Sequence, residues 1–133
     1  MKSFHLKIVT PDGVAFDSEA ESILLRTDDG DAEFLASHAD YMASVGTGRA
    51  RIITGGVSRF ASCSGGFVTV MGGEVTLTAV TFEFAEDIDL ERAKASKAEA
   101  ERRLVSAKDK RELELAEAKL KRALCRINVT DLI

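Results

Sequence analysis

Arg122 and Arg126 stand four residues apart, and Asp89 and Arg92 three apart, so each pair shares a face if its stretch is helical. Folding these two stretches against each other about residue 108 brings Arg92 level with about Leu124. Arg92, Arg122 and Arg126 then converge, with Asp89 near them and Glu83 reachable from the preceding segment. Three guanidiniums exceed the charge of two carboxylates, and the planar fork of Arg matches phosphate oxygens in pairs. Such a site would exist only while the two stretches are closed on each other. The same residues also read as a surface salt-bridge network worth ~0–1 kcal/mol per pair, and spacing alone favours that simpler account.

Other chemistry has less support. His5 falls in a strand and His38 in a loop, and neither has a carboxylate or second His at ligand spacing, so no metal site is read. Cys63 and Cys125 lie far apart, which fits neither a disulfide framework nor a zinc site. Ser62-Cys63-Ser64-Gly65-Gly66 lacks the preceding Gly and following helix of a nucleophile elbow, so a small hydrolase using Cys63 or Ser64 is the weakest function class. The doublets Gly55-Gly56, Gly65-Gly66 and Gly72-Gly73 lack the Gly-Lys-Ser/Thr ending of a phosphate loop and read as hairpin turns. A net charge of −4 argues against general nucleic-acid binding. No run approaches the roughly 20 apolar residues of a membrane span, and no basic-then-apolar stretch opens the chain. Neither a span nor a secretory signal is expected.

The elements that would position these residues are of two kinds. All ten glycines fall between Gly13 and Gly73. Residues 1–87 carry 6 Lys+Arg against 13 Asp+Glu, and residues 88–133 carry 12 against 9, balances of −7 and +3. The first part is rich in β-branched and aromatic residues and the second in Ala, Leu, Glu, Lys and Arg. In Ser3–Thr10, Phe4, Leu6 and Ile8 alternate with polar residues, as in a half-buried strand. Pro11-Asp12-Gly13 makes a turn. Ser22–Thr27, Arg49–Thr54, Val57–Ser64, Phe67–Met71 and Glu74–Val80 read as further strands, antiparallel across the glycine doublets. From Ile88 the period changes: Leu90, Ala93, Lys97, Ala100 and Leu104 mark one helix, and Leu113, Ala116, Leu120, Ala123, Leu124 and Ile127 a second. Ser106–Arg111 reads as the bend. The expected fold is α+β: an N-terminal antiparallel β-sandwich over 1–87, then an antiparallel two-helix hairpin over 88–133. The hairpin's apolar face is largely Ala, which buries little area at about 25 cal/mol per Å². Stable helices with weak mutual packing suit a movable arm, and a static cap on the sandwich is the competing account.

Four motifs in order give the chain a resemblance. Phe4-x-Leu6-x-Ile8-Val9-Thr10-Pro11-Asp12-Gly13, Ser64-Gly65-Gly66-Phe67, Ile88-Asp89-Leu90-Glu91-Arg92-Ala93 and Leu120-x-Arg122-Ala123-x-x-Arg126 resemble the epsilon subunits of bacterial F-type ATP synthases, over essentially the whole length. The resemblance implies a non-catalytic subunit of the central stalk, peripheral on the cytoplasmic face of the bacterial membrane. Its sandwich is implied to bind the gamma subunit and the ring of c subunits, helping couple ion flow to nucleotide chemistry. Its helices are implied to extend into the alpha/beta catalytic head and inhibit ATP hydrolysis, with Lys108, Arg111, Lys119 and Arg122 meeting acidic surfaces there. No cofactor is implied as required, but in some members ATP is a regulatory ligand that holds the hairpin down. Carried onto this sequence, that site is Ile88, Asp89, Arg92, Ala93, Arg122 and Arg126, with Glu83 adjacent. A stand-alone sandwich adaptor with a static helical cap is the alternative. Many members carry a Leu-Pro-Gly-His-Ala-Pro loop where this chain reads Leu35-Ala36-Ser37-His38-Ala39-Asp40, which frees φ at two positions and adds a charge. Asp29, Asp31, Glu33 and His38 are the candidates for a rotor-facing edge.

Overall fold

Alternating burial along Phe4–Thr10 (β1) puts Phe4, Leu6 and Ile8 inward and His5 and Lys7 outward, the period that the sequence shows. The computed structural model describes residues 2–133. After β1 come Gly13–Ala20 (β2), Ser22–Thr27 (β3), Gly30–Leu35 (β4), Tyr41–Ser44 (β5), Gly48–Thr54 (β6), Val57–Met71 (β7) and Glu74–Phe84 (β8). A 3₁₀ turn at Ala85–Asp87 leads into the helices Leu90–Ser106 (α1) and Lys110–Thr130 (α2). The sheet runs β2-β1-β8-β7-β6-β3-β4, with β5 also on β7. Its inward rows meet in one core, where Leu6, Ile8, Ile23, Leu25, Ile52, Val68, Val70 and Leu77 are fully buried. Each such side chain contributes about 1.5–3 kcal/mol relative to exposure.

The sandwich differs from the sequence expectation in two ways. First, β1 pairs β8 in parallel, Leu6 opposite Val75 and Ile8 opposite Leu77, so one pairing of an otherwise antiparallel sheet is parallel. Second, Gly65-Gly66 is not a hairpin turn. β7 is one 15-residue strand that runs through it, and its register with β8 is the same on both sides, Ser64 opposite Thr81 and Gly66 opposite Ala79. Both glycines have positive φ, 68° and 101°. A Cβ on Gly66 would fall 1.8 Å from the Thr78 carbonyl oxygen, so the residue is glycine because a neighbouring backbone occupies the side-chain position. The break lets the two halves of β7 serve different neighbours: Val57–Cys63 pairs with β6, and Phe67–Val70 with β5. The doublets Gly55-Gly56 and Gly72-Gly73 do turn the chain, between β6 and β7 and between β7 and β8.

The helices begin at explicit caps. Asp89 Oδ1 accepts the Arg92 backbone N–H at 3.1 Å, and Asp109 Oδ1 accepts that of Glu112 at 2.8 Å. Each cap is worth about 1 kcal/mol. Because Asp109 caps, α2 starts at Lys110 and the bend shrinks to Ala107–Asp109, inside the expected Ser106–Arg111. The buried residues facing between the helices are Ala93 and Ala100 on α1 and Ala116 and Ala123 on α2. They are placed symmetrically about residue 108. One interhelical ion pair, Lys119 Nζ to Glu99 Oε2 at 2.8 Å, adds to this alanine seam. Among the described residues no helix is long and apolar enough to cross a membrane.

Candidate functional site

The Gly72-Gly73 turn sets the register that builds the site. Counting back from it places Ser62 opposite Glu83, and β6 adds Arg49 opposite Ser62. Arg49, Ser62 and Glu83 thus form one cross-strand row, and α2 lies on it. Arg126 Nε donates to Glu83 Oε1 at 2.6 Å, and Ser62 Oγ donates to Cys125 Sγ at 3.3 Å. The Arg126–Glu83 pair is partly buried, its side chains 24% and 38% exposed. Cys63, the next residue along β7, points the other way into the core. Burial pushes its thiol up to about 12, with Cys125 nearby adding to the shift. A thiol held protonated is a poor nucleophile, so the hydrolase reading has no support at this position.

A cleft of about 390 Å³ opens beside the Glu83 end of the row. It holds six of the seven anion-site candidates: Glu83, Ile88, Asp89, Arg92, Ala93 and Arg126. Arg92 is exposed and forms no ion pair among the described residues. Arg122 is half-buried on α2 and does not line the cleft. Asp12 and Asp87 do line it, and sequence reasoning missed both. The lining therefore carries four carboxylates and two guanidiniums, which corrects the expected surplus of positive charge. Asp89 is already engaged as the cap of α1. The signal that could have found Asp12 is the parallel β1–β8 pairing, which brings the turn after β1 alongside β8.

The four candidates for a rotor-facing edge sit in different settings. Asp31 and Glu33 alternate outward on the edge strand β4, where Arg26 holds Asp31 at 2.7 Å and Arg51 holds Glu33. Asp29 lies exposed in the β3–β4 turn, its backbone N–H donated to Thr27 Oγ1. His38 is half-buried, edge-on to Phe34 at 5.1 Å, with Nδ1 donating to the Ala39 carbonyl at 2.7 Å. The loop that lacks the prolines is tied down another way. Asp40 Oδ1 accepts the Gly72 N–H at 3.0 Å, and Ser37 takes a left-handed φ of 66°. On the same sandwich, Phe67, Val80, Val14 and Met42 are exposed apolar side chains, 46%, 61%, 58% and 70%. At the far end of the hairpin Lys108 and Arg111 are exposed, whereas Lys119 is engaged with Glu99.

With this geometry in hand, the likeness to known proteins is specific. Residues 3–85 match the family described as ATP synthase, Delta/Epsilon chain, beta-sandwich domain. Residues 86–131 match ATP synthase, Delta/Epsilon chain, long alpha-helix domain. An ATP synthase epsilon chain of Bacillus velezensis is 39% identical over 129 residues, covering 97% of this chain and 98% of the relative. Those of Ruminococcus albus and Nitratidesulfovibrio vulgaris are each 36% identical, covering 98% and 96% of both chains. Among solved structures, a chain of the Euglena gracilis mitochondrial ATP synthase (OSCP/F1/c-ring) has a TM-score of 0.81 at 22% identity, over 98% of this chain and 82% of that one. A chain of the Tetrahymena thermophila mitochondrial ATP synthase central stalk and c-ring has a TM-score of 0.64 at 11% identity, over 97% of each. At those identities the two structures establish the shared fold.

Proposed function

The chain belongs to the ATP synthase delta/epsilon family as an epsilon chain, a non-catalytic stalk subunit, and on that premise we propose that it couples rotation to catalysis with its sandwich and restrains ATP hydrolysis with its hairpin. The observation that carries this is how lightly α2 is held. Among the described residues its side-chain bonds to the sheet are Arg126–Glu83 and Ser62–Cys125, Val129 is its one large fully buried side chain, and its seam with α1 is built of alanine. An interface of that kind can open without unfolding either helix, because both are capped and rich in strong helix formers.

The two parts divide the work in this reading. Residues 1–87 meet the gamma subunit and the c ring, using the exposed Phe67, Val80, Val14 and Met42 and the acidic β4 edge with Asp29, Asp31 and Glu33. Exposed apolar side chains gathered on a sheet suit a protein partner. Residues 88–133 reach the alpha/beta head, led by Lys108 and Arg111. Lys119 and Arg122 become available there only after Glu99 is released and α2 lifts. The protein sits peripherally on the cytoplasmic face of the bacterial membrane within the complex.

ATP is the regulatory ligand we propose for the acidic cleft, and the residues fit it in part. The cleft volume lies within the ~300–1,000 Å³ of small-molecule sites. Arg92 is free to take a phosphate, but Arg126 must first exchange Glu83 for one. Ile88 and Ala93 line the cleft. Binding would engage α1, α2 and β8 together and so favour the docked hairpin. Calorimetry on the full chain should show ATP binding that Arg92→Ala and Arg126→Ala each weaken about tenfold to a hundredfold, as expected for charge-assisted bonds. No heat at millimolar ATP would remove the ligand and leave the subunit function standing. That function is tested by reconstitution with the partner subunits, comparing full-length protein with a form ending at Asp87. Equal hydrolysis rates would end the inhibitory reading.

A further inference from the structure

A second cavity flanks α2 on the side away from the acidic cleft, also about 390 Å³. Its wall on the sheet side is Thr47, Gly48 and Arg49, and its other wall is Lys121, Leu124, Cys125, Asn128 and Val129 on α2 with Leu132 in the turn that follows. The α2 residues follow one another at helical spacing, so they form a single stripe. From Lys121 to Val129 that stripe is about 12 Å long. The groove therefore runs along the end of α2, and a linear chain would follow it.

Its chemistry is divided like that of an amphiphile. Among the described residues no carboxylate lines it, in a chain with 22 acidic residues. Arg26, Arg51 and Arg59 on the strands each hold a carboxylate, but among the described residues Arg49 and Lys121 form no ion pair. Beside these two free cations, Leu124 and Leu132 are 37% and 40% exposed. We propose that this groove binds a linear anionic amphiphile of the free fatty-acid class, its carboxylate on Arg49 and Lys121 and its chain along Leu124 and Leu132. Both walls are needed, so the ligand binds the docked hairpin and not the extended one. It stabilises the docked state by mass action, independently of ATP and from the opposite flank of α2.

Sodium dodecanoate, kept below its micelle concentration, is the probe for the full-length chain. Calorimetry should show one equivalent bound, and the alkylation of Cys125 by iodoacetamide, followed by intact mass, should slow at least fivefold. Cys63 is 2% exposed and leaves that signal clean. Arg49→Gln with Lys121→Gln should weaken binding about tenfold, and dodecyl maltoside, with an uncharged head, should bind no better to the native chain than to this variant. Several equivalents bound with Cys125 still reactive, or equal affinity in the charge variant, would overturn the proposal as surfactant adsorption. Protection of Cys125 that grows with protein concentration alone would assign the groove to a second copy and overturn it too. None of these results depends on ATP binding or on the partner subunits.

Discussion

Replacing Ser62 by Cys should allow α2 to be locked to the sandwich through a thiol the chain already has. Ser62 Oγ and Cys125 Sγ are 3.3 Å apart, and a sulfur on the longer Cβ–S bond starts closer to the ~2.05 Å of a disulfide. Cys63 does not compete. It faces the core from the other side of β7, and its thiol, raised to about 12 mainly by burial, supplies almost no thiolate. The linked residues are 63 apart, and loop-closure entropy for a loop of that length gives about 4 kcal/mol. In a chain of this size that raises Tm by roughly 10–20 °C. Thermal unfolding of the oxidised Ser62→Cys chain with and without reductant measures this gain. In reconstituted synthase the oxidised form should hydrolyse ATP faster than the reduced form, and reductant should restore inhibition. If the crosslink forms and Tm rises but both redox states inhibit equally, α2 does not leave the sheet to inhibit. If no crosslink forms in the folded protein, α2 does not rest on the Ser62–Glu83 row in solution.

Three further expectations follow from single features. Gly66→Ala should cost more than 4 kcal/mol or prevent folding, because its Cβ meets the Thr78 carbonyl, whereas Gly55→Ala, also at positive φ but in open space, should cost about 1–2 kcal/mol; chemical denaturation of both separates the clash from the backbone strain. Ser37→Gly should stabilise by about 0.5–1 kcal/mol, since relief of the left-handed strain exceeds the added chain entropy, and an unchanged denaturation midpoint would show that the loop does not hold this conformation. The Glu99 carboxyl is lowered from 4.5 by its hydrogen bond to Lys119 and by Arg103, and that of Glu86 by its bond to Arg59. A lowered folded-state pKa adds stability above the unfolded value and loses it as pH falls through the folded one. Tm should therefore drop more steeply below about pH 4.5 in the native chain than in Glu99→Gln, and parallel curves would exclude a role for this bridge.

What could be read in advance depended on whether the informative unit was local. The period-2 pattern of β1, the turns at Gly55-Gly56 and Gly72-Gly73, and the alanine seam each lie within a few residues of chain, and the structure holds them where the sequence puts them. Gly65-Gly66 has the same local signature as those two turns but arises from a different cause, a neighbouring strand's carbonyl in the place of a side chain. That one misreading hid the cross-strand row beneath α2. With β7 cut in two, counting from Gly72-Gly73 stops at Gly66, and Ser62 never comes opposite Glu83. Arg126 was legible because it lies on the same helical face as Arg122, yet which of the two reaches the cleft is decided by the rotation of α2 on the sheet. The Ser62–Cys125 contact sets that rotation, sending Arg126 to Glu83 and leaving Arg122 outside. Charge counting failed for a related reason. Asp12 enters the cleft through the parallel β1–β8 pairing, which no hairpin rule predicts. A cleft with four carboxylates around two guanidiniums is net acidic, so the proposed anion has to take Arg126 from Glu83. Arg126 is at the cleft only while α2 is docked, so under that proposal the ligand's affinity and the arm's position are one equilibrium.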